Sequence, residues 1–153
     1  ENEYDIEKID MNELVNEVVL LSRIMISEKS AVIEWQNLPI INAAKTPFQQ
    51  VLQNLISNAL KYQILGVKPL IKISALETKK HWQFAVSDNG IGINPKFFDK
   101  IFVAFQRLHS KSEYSGSGIG LAICKKIVEN YKGKIWVESA QGKGSTFNFT
   151  VSK

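Results

Sequence analysis

The residues best suited to chemistry in this chain fall into three short segments. Asn54 and Asn58 lie four positions apart with Lys61 three residues later, Asp88 begins an Asp-Asn-Gly-Ile-Gly segment, and glycines alternate with other residues over positions 116–120. Amide oxygens suit a hard cation such as Mg²⁺, and a lysine suits phosphate. Closely spaced glycines let backbone N–H groups approach an anion. Together these segments predict a nucleotide site.

The first segment belongs to a helix predicted from Thr46 to about Tyr62. Its start is indicated by Thr46 as N-cap, Pro47 at the first helical position and Gln49 closing a capping box. Its apolar residues follow the i, i+3, i+4, i+7 spacing and are expected to face the core: Phe48, Val51, Leu52, Leu55, Ile56 and Ala59.

The polar side chains of this helix form a stripe beside its apolar face. At about 100° per residue, Asn54, Asn58 and Lys61 fall on neighbouring positions and are expected to be half-buried. Asparagine is a poor helix former because its amide competes with the backbone. The pair therefore indicates a binding role, with a solvated helix face as the alternative.

Asp88 ends a strand whose inward series alternates with polar residues. The apolar members of that series are Trp82, Phe84 and Val86. The carboxylate is therefore expected to point inward, where it is costly without donors, and an adenine amino group is a suitable donor. Gly90 and Gly92 permit a close backbone approach beside it. An ordinary Asp-Asn-Gly turn is the alternative.

The glycines Gly116, Gly118 and Gly120 precede a predicted helix, so backbone N–H groups at its start can meet phosphates. Their spacing is not that of the dinucleotide fingerprint. The phosphate-loop pattern is also missing, because Gly142, which precedes Lys143, lacks the partner glycine five residues before it. A flexible linker is the alternative, and the apolar helix that follows directly disfavours it.

The remaining patterns predict one α/β domain over residues 1–153. Asp10 caps a first helix with apolar residues at helical spacing as far as Met25, and a third helix covers residues 119–132. Strands are predicted at 4–9, 32–36, 71–76, 82–86, 135–138 and 146–151. The expected fold is a two-layer sandwich, with a mixed, mostly antiparallel sheet of about five or more strands packed on three helices. Residues 95–117 lack regular pattern.

Composition limits the alternatives. With 153 residues and 44% hydrophobic content, the chain can bury one sizeable core. One cysteine and two histidines cannot build a disulfide framework or a zinc site, and Cys124 fits a small buried residue better than a reactive thiol. Apolar runs are too short for a membrane span, which predicts a soluble, cytoplasmic chain. The absence of an initial methionine indicates a piece of a longer protein.

Charge is distributed unevenly along the chain. Residues 1–36 have a net charge of −6 and residues 37–153 a net charge of +10, so the basic part contains every glycine motif. This part would attract a polyanionic ligand. Its lysines are scattered and show no nucleic-acid recognition pattern, so most of them are expected to form a solvated surface, and no nucleic acid is expected as a partner.

The order of these motifs resembles the catalytic and ATP-binding domain of sensor histidine kinases, in the superfamily that also contains DNA gyrase, MutL-type mismatch-repair proteins and a heat-shock chaperone. The resemblance covers nearly the whole chain. It includes an N box at 54–62, a first glycine box at 88–92, a phenylalanine box at 102–107, a second glycine box at 116–121 and a final turn at 142–145. Residues 106–109 and 122–129 resemble kinases coupled to phytochrome-like or PAS sensors. The fold implied is the Bergerat-type ATP-binding fold.

The resemblance implies a role for each matching residue. Asn58 would ligate Mg²⁺, and Lys61 and Tyr62 would contact phosphates or ribose. Asp88 would accept from adenine N6, and Ser145 would hold a water near the adenine. The other residues implied to contact the nucleotide are Asn54, Gly90, Gly92, Ile93, Phe105, Gly116, Gly118, Gly120 and Leu121.

The same resemblance implies a mobile lid at about residues 95–117, from which Arg107 would approach the γ-phosphate. The implied catalytic residues are Asn54, Lys61 and Arg107. Hydrolytic members of the superfamily have a glutamate base where this chain has Asn54. Because asparagine is a very poor base, the sequence favours phosphate transfer to a protein over ATP hydrolysis.

The implied phosphate acceptor is missing from the chain. In the family, the phosphorylated histidine is followed by an acidic residue, and neither His81 nor His109 is. The dimerisation hairpin is therefore expected to lie outside this chain. The expected partners are that hairpin and, through it, a response regulator, with no direct membrane contact. The isolated domain is expected to be a monomer and its parent a homodimer. A gyrase-like or chaperone-like ATPase and a non-catalytic nucleotide-binding scaffold are the alternatives.

Overall fold

The computed structural model describes residues 5–104 and 118–153. The helices are α1 (Met11–Leu21), α2 (Arg23–Lys29), α3 (Lys45–Lys61) and α4 (Gly120–Asn130). The strands are β1 (Glu7–Asp10), β2 (Val32–Trp35), β3 (Ile40–Ala43), β4 (Leu70–Glu77), β5 (His81–Asp88), β6 (Ile135–Ser139) and β7 (Ser145–Ser152). Two 3₁₀ turns, Pro95–Phe97 and Lys100–Phe102, follow β5. In this part of the chain, no helix is both long and apolar enough to cross a membrane.

The main sheet has five strands in the order β2-β4-β5-β7-β6, and β1 pairs with β3 in a separate two-stranded sheet. Strand β2 runs parallel to β4, and the other neighbours in the main sheet are antiparallel. The predicted α/β fold with a mixed, mostly antiparallel sheet is therefore confirmed. Two details of the prediction were wrong. Strand β3 was not expected, and the described residues form four α-helices because the first predicted helix divides in two.

The helix-facing side of the sheet follows the predicted alternation. Its buried side chains include Ile71, Ile73, Phe84, Val86, Val137, Phe147, Phe149 and Val151. Phe84 and Phe149 are register partners, and their rings stack with centroids 5.2 Å apart. All six apolar residues predicted on the core face of α3 are buried there. The strong period of each element thus fixed which face it buries.

The first helical stretch begins as predicted and breaks before its expected end. Asp10 is the N-cap of α1, and its carboxylate accepts a hydrogen bond from the Asn12 N–H at 2.9 Å. Ser22, with φ −98° and ψ 8°, separates α1 from α2. Ser30, at φ 53°, ends α2 in the left-handed conformation, which returns the chain toward β2.

The start of α3 corrects the prediction of a Thr46 cap. Ala44 occupies the N-cap position without a side-chain hydrogen bond, and Thr46 already lies inside the helix. The reason is tertiary: β3 delivers the chain to the core at Ala43, so the helix starts directly after it. Lys45 in the first turn forms a salt bridge with Glu17 of α1 at 3.1 Å. The predicted end near Tyr62 is confirmed, because Tyr62 is the C-cap.

The end of α4 is set by a close backbone contact at Gly133. Lys132 adopts the left-handed conformation at φ 63°, and the Gly133 N–H donates to the Val128 carbonyl at 2.9 Å. A Cβ at Gly133 would lie 2.0 Å from the Thr150 carbonyl oxygen of β7. The absence of a side chain at Gly133 therefore lets the end of α4 pack directly on the sheet.

This contact predicts that Gly133→Ala destabilises the domain by about 2–3 kcal/mol, because backbone atoms of β7 must move. The matched control is Gly142→Ala, where a Cβ meets open space and only the positive φ of 77° is strained, for a cost of about 1 kcal/mol. Urea unfolding of both variants measures the difference. Equal losses would show that the contact with Thr150 carries no energy of its own.

Candidate nucleotide-binding site

The predicted site residues in the described part of the chain come from four elements. Helix α3 carries Asn54, Asn58 and Lys61, all half-buried as the stripe predicted. Asp88 ends β5, Gly120 begins α4, and Ser145 begins β7. Asp88 is opposite Ile71 in the β4–β5 register, and Ser139 is opposite Ser145 in the β6–β7 register. Strand parity therefore places Asp88, Ser139 and Ser145 on the helix-facing side, at one end of the sheet.

The Asp88 carboxylate points inward, as the sequence predicted. Backbone N–H groups supply donors to one of its two oxygens. Its Oδ1 accepts hydrogen bonds from the Gly90 N–H at 2.8 Å and the Ser145 N–H at 3.3 Å. Burial raises the pKa of Asp88 to about 6, and these two backbone hydrogen bonds act in the opposite direction. Among the described residues, Oδ2 receives no hydrogen bond. This oxygen can accept from a ligand.

The glycines after Asp88 make close contacts with other backbone segments. A Cβ at Gly90 would lie 2.2 Å from the Tyr62 carbonyl oxygen at the end of α3. That same carbonyl accepts from the Ile91 N–H at 3.0 Å. Gly92, at φ 72°, would place a Cβ 1.9 Å from the Ala140 carbonyl oxygen in the β6–β7 turn. The first glycine box thus joins α3 to this turn.

The β6–β7 turn in return closes over the Asp88 backbone. Gly144, at φ 78°, would place a Cβ 2.1 Å from the Asp88 carbonyl oxygen, and the Gly142 N–H donates to the Ile91 carbonyl at 2.7 Å. Sequence reasoning missed Ser139, whose hydroxyl accepts from the Ile93 N–H at 2.8 Å. The available signal was its position three residues before Gly142 of the Gly142-Lys143-Gly144 turn, opposite Ser145.

Asn89 is a second residue whose role was missed. Its side-chain oxygen accepts from the Leu70 N–H at 2.9 Å, and its amide donates to the Lys68 carbonyl at 3.0 Å. These bonds hold the start of β4 against the end of β5. The Asp-Asn-Gly segment is therefore more than a turn, because its two polar side chains bind separate backbone segments.

Asn54 connects the N box to the second glycine box. Its amide lies 3.4 Å from the Gly120 carbonyl, to which it donates, and a Cβ at Gly120 would be in ordinary contact with the Asn54 side chain. Cys124, one turn further along α4, is fully buried with its thiol 3.7 Å from the Val51 carbonyl. Burial raises the pKa of Cys124 to about 12, and the expectation of a small buried residue is confirmed.

The C-terminal turn of α3 is held by donors from outside the helix. The Lys29 ammonium of α2 donates to the Leu60 carbonyl at 2.6 Å, and the Gln63 amide donates to the Ala59 carbonyl. A cation at a helix C-terminus is favourable because of the partial negative charge there. These contacts fix the turn that carries Asn58, Lys61 and Tyr62.

A cavity of about 960 Å³ lies beside this turn, between the end of α2 and the connection from Gln63 to Pro69. It shares Lys61 with the predicted stripe but is not lined by Asn54, Asn58 or Asp88. It is therefore a neighbour of the predicted nucleotide site and not the site itself.

The remaining predicted residues divide by position. Gly118, at φ 80°, lies two residues before α4, and Leu121 is the second residue of that helix. Ile93 and Leu121 pack against the core. Phe105, Arg107 and Gly116, together with His109, lie outside the described residues. The described start of the predicted lid, residues 95–104, contacts the core through buried Ile101 and through Phe102, whose ring meets that of Phe147 edge-on at 6.3 Å. Mobility of the lid stays a prediction.

Comparison with known proteins gives this geometry a context. The profile of the histidine kinase-, DNA gyrase B-, and HSP90-like ATPase family matches residues 43–153. The chain is 48% identical over 143 residues to the phytochrome-like protein Cph1 of Synechocystis, which covers 93% of this chain and 19% of that protein. It is 44% identical over 117 residues to the adaptive-response sensory kinase SasA of Prochlorococcus marinus, covering 75% of this chain and 30% of that kinase.

Solved structures agree with the sequence relatives. The catalytic domain of histidine kinase ThkA superposes with a TM-score of 0.81 at 30% identity, covering 97% of this chain and 96% of that one. Full-length ShkA, determined in complex with AMPPNP, gives a TM-score of 0.82 at 29% identity, covering 98% of this chain and 31% of ShkA.

The chain therefore belongs to the histidine kinase-, DNA gyrase B-, and HSP90-like ATPase family. Within this family it groups with the catalytic domains of sensor histidine kinases, as its motifs predicted. The chain spans about a fifth of the length of the phytochrome-like relative that it matches.

The raised pKa of Asp88 predicts pH-dependent binding of the base. If Asp88 accepts the adenine amino hydrogen as a carboxylate, adenosine affinity is full well above pH 6 and falls below it, approaching tenfold per pH unit. Adenosine is the probe because it has no phosphate that titrates in this range. Calorimetry between pH 5 and 8 measures the dependence, together with proton release on binding near pH 6.

The matched variant is Asp88→Asn, which can present a donor to the adenine amino group. It should lose adenosine binding at every pH, by a free energy of roughly 2–5 kcal/mol. A parent chain with constant affinity across this pH range, or a variant that binds like the parent, would contradict the placement of adenine at Asp88.

Proposed function

We propose that this domain binds Mg·ATP and donates the γ-phosphate to a histidine on a helical hairpin outside this chain, as one step of two-component signal transduction. The reaction would take place in the cytoplasm. The observation that carries the choice of phosphate transfer is the environment of Asn54. The position where hydrolytic members of the superfamily have a glutamate base holds a neutral amide bound to the Gly120 carbonyl.

Binding of adenine is supported by the end of the main sheet. The Asp88 carboxylate keeps one oxygen for a ligand while backbone N–H groups occupy the other. Ser145, only 7% exposed, lies directly beside it. A buried acceptor of this kind discriminates strongly for a ligand with a matching donor, because a ligand without one leaves the carboxylate unpaired.

Binding of Mg²⁺ is supported by the chemistry of the available donors. Among residues 5–104 and 118–153, His, Cys, Asp and Glu form no cluster of three or more that could hold a metal. Mg²⁺ that arrives with nucleotide phosphates needs few protein ligands and keeps several waters. The half-buried Asn58 amide, on the same helix face as Asn54 and Lys61, is suited to this role. The cation would neutralise charge on the transferring phosphate.

The catalytic contribution of this chain would be positioning and charge neutralisation, since phosphoryl transfer needs little covalent chemistry from the protein. Lys61 would meet the phosphates from the last turn of α3, whose carbonyls are held by Lys29 and Gln63. Arg107 would supply a second positive charge from the lid, together with the predicted contacts of Phe105 and Gly116. The downstream partner would be a response regulator that receives phosphate from the hairpin.

The metal role of Asn58 predicts a selective loss. Asn58→Ala should weaken Mg·ATP binding at least tenfold more than it weakens binding of ADP in the presence of a chelator. Paired calorimetric titrations measure both. The control is Ser57→Ala, a half-buried neighbour one position away on α3. Equal losses for both ligands in Asn58→Ala would assign the residue to packing and not to the metal.

Phosphate transfer itself is tested with two chains. Incubated alone with Mg·ATP, this domain should acquire no phosphate on His81 or His109, yet it should phosphorylate a separately supplied helical hairpin from its own parent. Transfer should be slow and depend on concentration, because the covalent link that raises effective concentration is missing. The measurement is acid-labile, base-stable radiolabel on each chain, with Asp88→Asn as the control.

The outcomes separate the alternatives. Steady-state release of inorganic phosphate without labelled hairpin would favour a gyrase-like or chaperone-like ATPase. Bound nucleotide with neither hydrolysis nor transfer would favour a non-catalytic scaffold.

A further inference from the structure

The Ser139 hydroxyl takes part in three hydrogen bonds close to the Asp88 carboxylate. It accepts from the Ile93 N–H, donates to the Gly144 carbonyl and lies next to the Ser145 hydroxyl, each at 2.8 Å. Ser139 thus contacts the loop after Asp88, the β6–β7 turn and the first residue of β7. The positions of the two oxygens alone allow either hydroxyl, that of Ser139 or that of Ser145, to be the donor in this hydrogen bond.

Counting hydrogens decides that direction. A serine hydroxyl has one hydrogen and two lone pairs. The Ile93 N–H occupies one lone pair of Ser139, and the buried Gly144 carbonyl takes its hydrogen. The other lone pair is then filled by the hydrogen of Ser145. The reverse arrangement, with the Ser139 hydrogen on Ser145, removes this donor from the Gly144 carbonyl, which is costly for a buried group.

The consequence reaches the ligand side of Ser145. Once its hydrogen is directed to Ser139, the Ser145 oxygen presents only lone pairs in its remaining directions. Oδ2 of the neighbouring Asp88 carboxylate is an acceptor as well. This end of the site therefore offers acceptors and no side-chain hydroxyl donor from Ser145.

We propose that Ser139 is a positioning residue that sets a preference for 6-amino over 6-oxo purines by fixing the hydroxyl direction of Ser145. This inference rests on the proposed binding of adenine at Asp88. Adenine has a donor amino group at position 6 and an acceptor at N1, whereas hypoxanthine has an acceptor oxygen and a donor N–H. At position 6, two acceptors match the two hydrogens of the adenine amino group and oppose the hypoxanthine oxygen.

The same preference results if a water lies between Ser145 and the base. A water that donates one hydrogen to the Ser145 oxygen has its other hydrogen available for N1. In adenine N1 accepts that hydrogen, while in hypoxanthine the N1–H is directed against it. A direct contact of Ser145 at position 6 and a water-mediated contact at N1 therefore favour the same base.

The test compares adenosine with inosine, which differ in this donor and acceptor pattern and have no phosphates. The parent chain should bind adenosine in strong preference. Ser139→Ala frees the Ser145 hydrogen to donate toward a 6-oxo group or its water, so the adenosine-to-inosine affinity ratio should fall about tenfold. Ser139→Thr retains a hydroxyl and should retain the ratio. Calorimetry or competition with a fluorescent adenine nucleotide gives both affinities.

A double variant tests whether Ser139 acts through Ser145. In a Ser145→Ala background, adding Ser139→Ala should leave the ratio unchanged, because the hydroxyl that it would release is already absent. Ser139→Cys, whose thiol is a weak acceptor, is a second variant expected to lower the ratio if Ser139→Ala does not fold. Thermal unfolding of each variant shows which ones fold.

The outcomes distinguish this inference from the proposed function. Equal weakening of adenosine and inosine in Ser139→Ala and Ser139→Cys would show a purely structural role and overturn the inference alone. The inference alone would also be overturned if Ser139→Ala lowered the adenosine-to-inosine affinity ratio as far in the Ser145→Ala background as in the parent chain. A folded parent chain that binds neither nucleoside nor Mg·ATP would overturn both the inference and the proposed function.

Discussion

The hydrogen bonds from the Gly90 and Ser145 N–H groups to one oxygen of Asp88 are the constraint on which the rest of the site depends. They let a carboxylate end a core strand at a tolerable cost, although burial still raises its pKa. Because one donor belongs to the loop after β5 and the other to β7, the same interaction brings two distant segments together. The other oxygen receives no hydrogen bond from the described residues and is where we propose that the base binds.

Close backbone contacts connect the loop after Asp88 to two further segments. The glycines at 90, 92 and 144 each let a carbonyl oxygen approach to where a Cβ would otherwise stand, with Tyr62, Ala140 and Asp88 as the partners. The loop after β5 is thereby linked to the end of α3 and to the β6–β7 turn. Ser139 adds its side-chain hydrogen bonds to the same region. The residues proposed to contact adenine and phosphate are therefore linked through the same backbone contacts.

Much of this could be predicted from the sequence because side-chain period reports directly on burial. The alternation that ends in Asp88 and the helical spacing around Asn54 gave the correct faces in β5 and α3. The start of α3 could not be read this way, since Thr46 has every local feature of a cap and the position of β3 overrides it. The break between α1 and α2 at Ser22 also could not be predicted, because no proline or glycine marks it in the sequence.

By itself, the sequence determined the α/β class, the buried faces and the family, because local periodicity and motif spacing need no knowledge of distant contacts. Only the tertiary structure decided which polar atoms meet. The Asn54 amide donates to the carbonyl of Gly120, 66 positions away in the sequence, and the Ser145 N–H donates to Asp88, 57 positions away. Ser139, which no motif singled out, gains its role through strand register and turn geometry. Such pairings arise when the sheet closes, since hydrogen-bond direction depends on where separate segments come to lie.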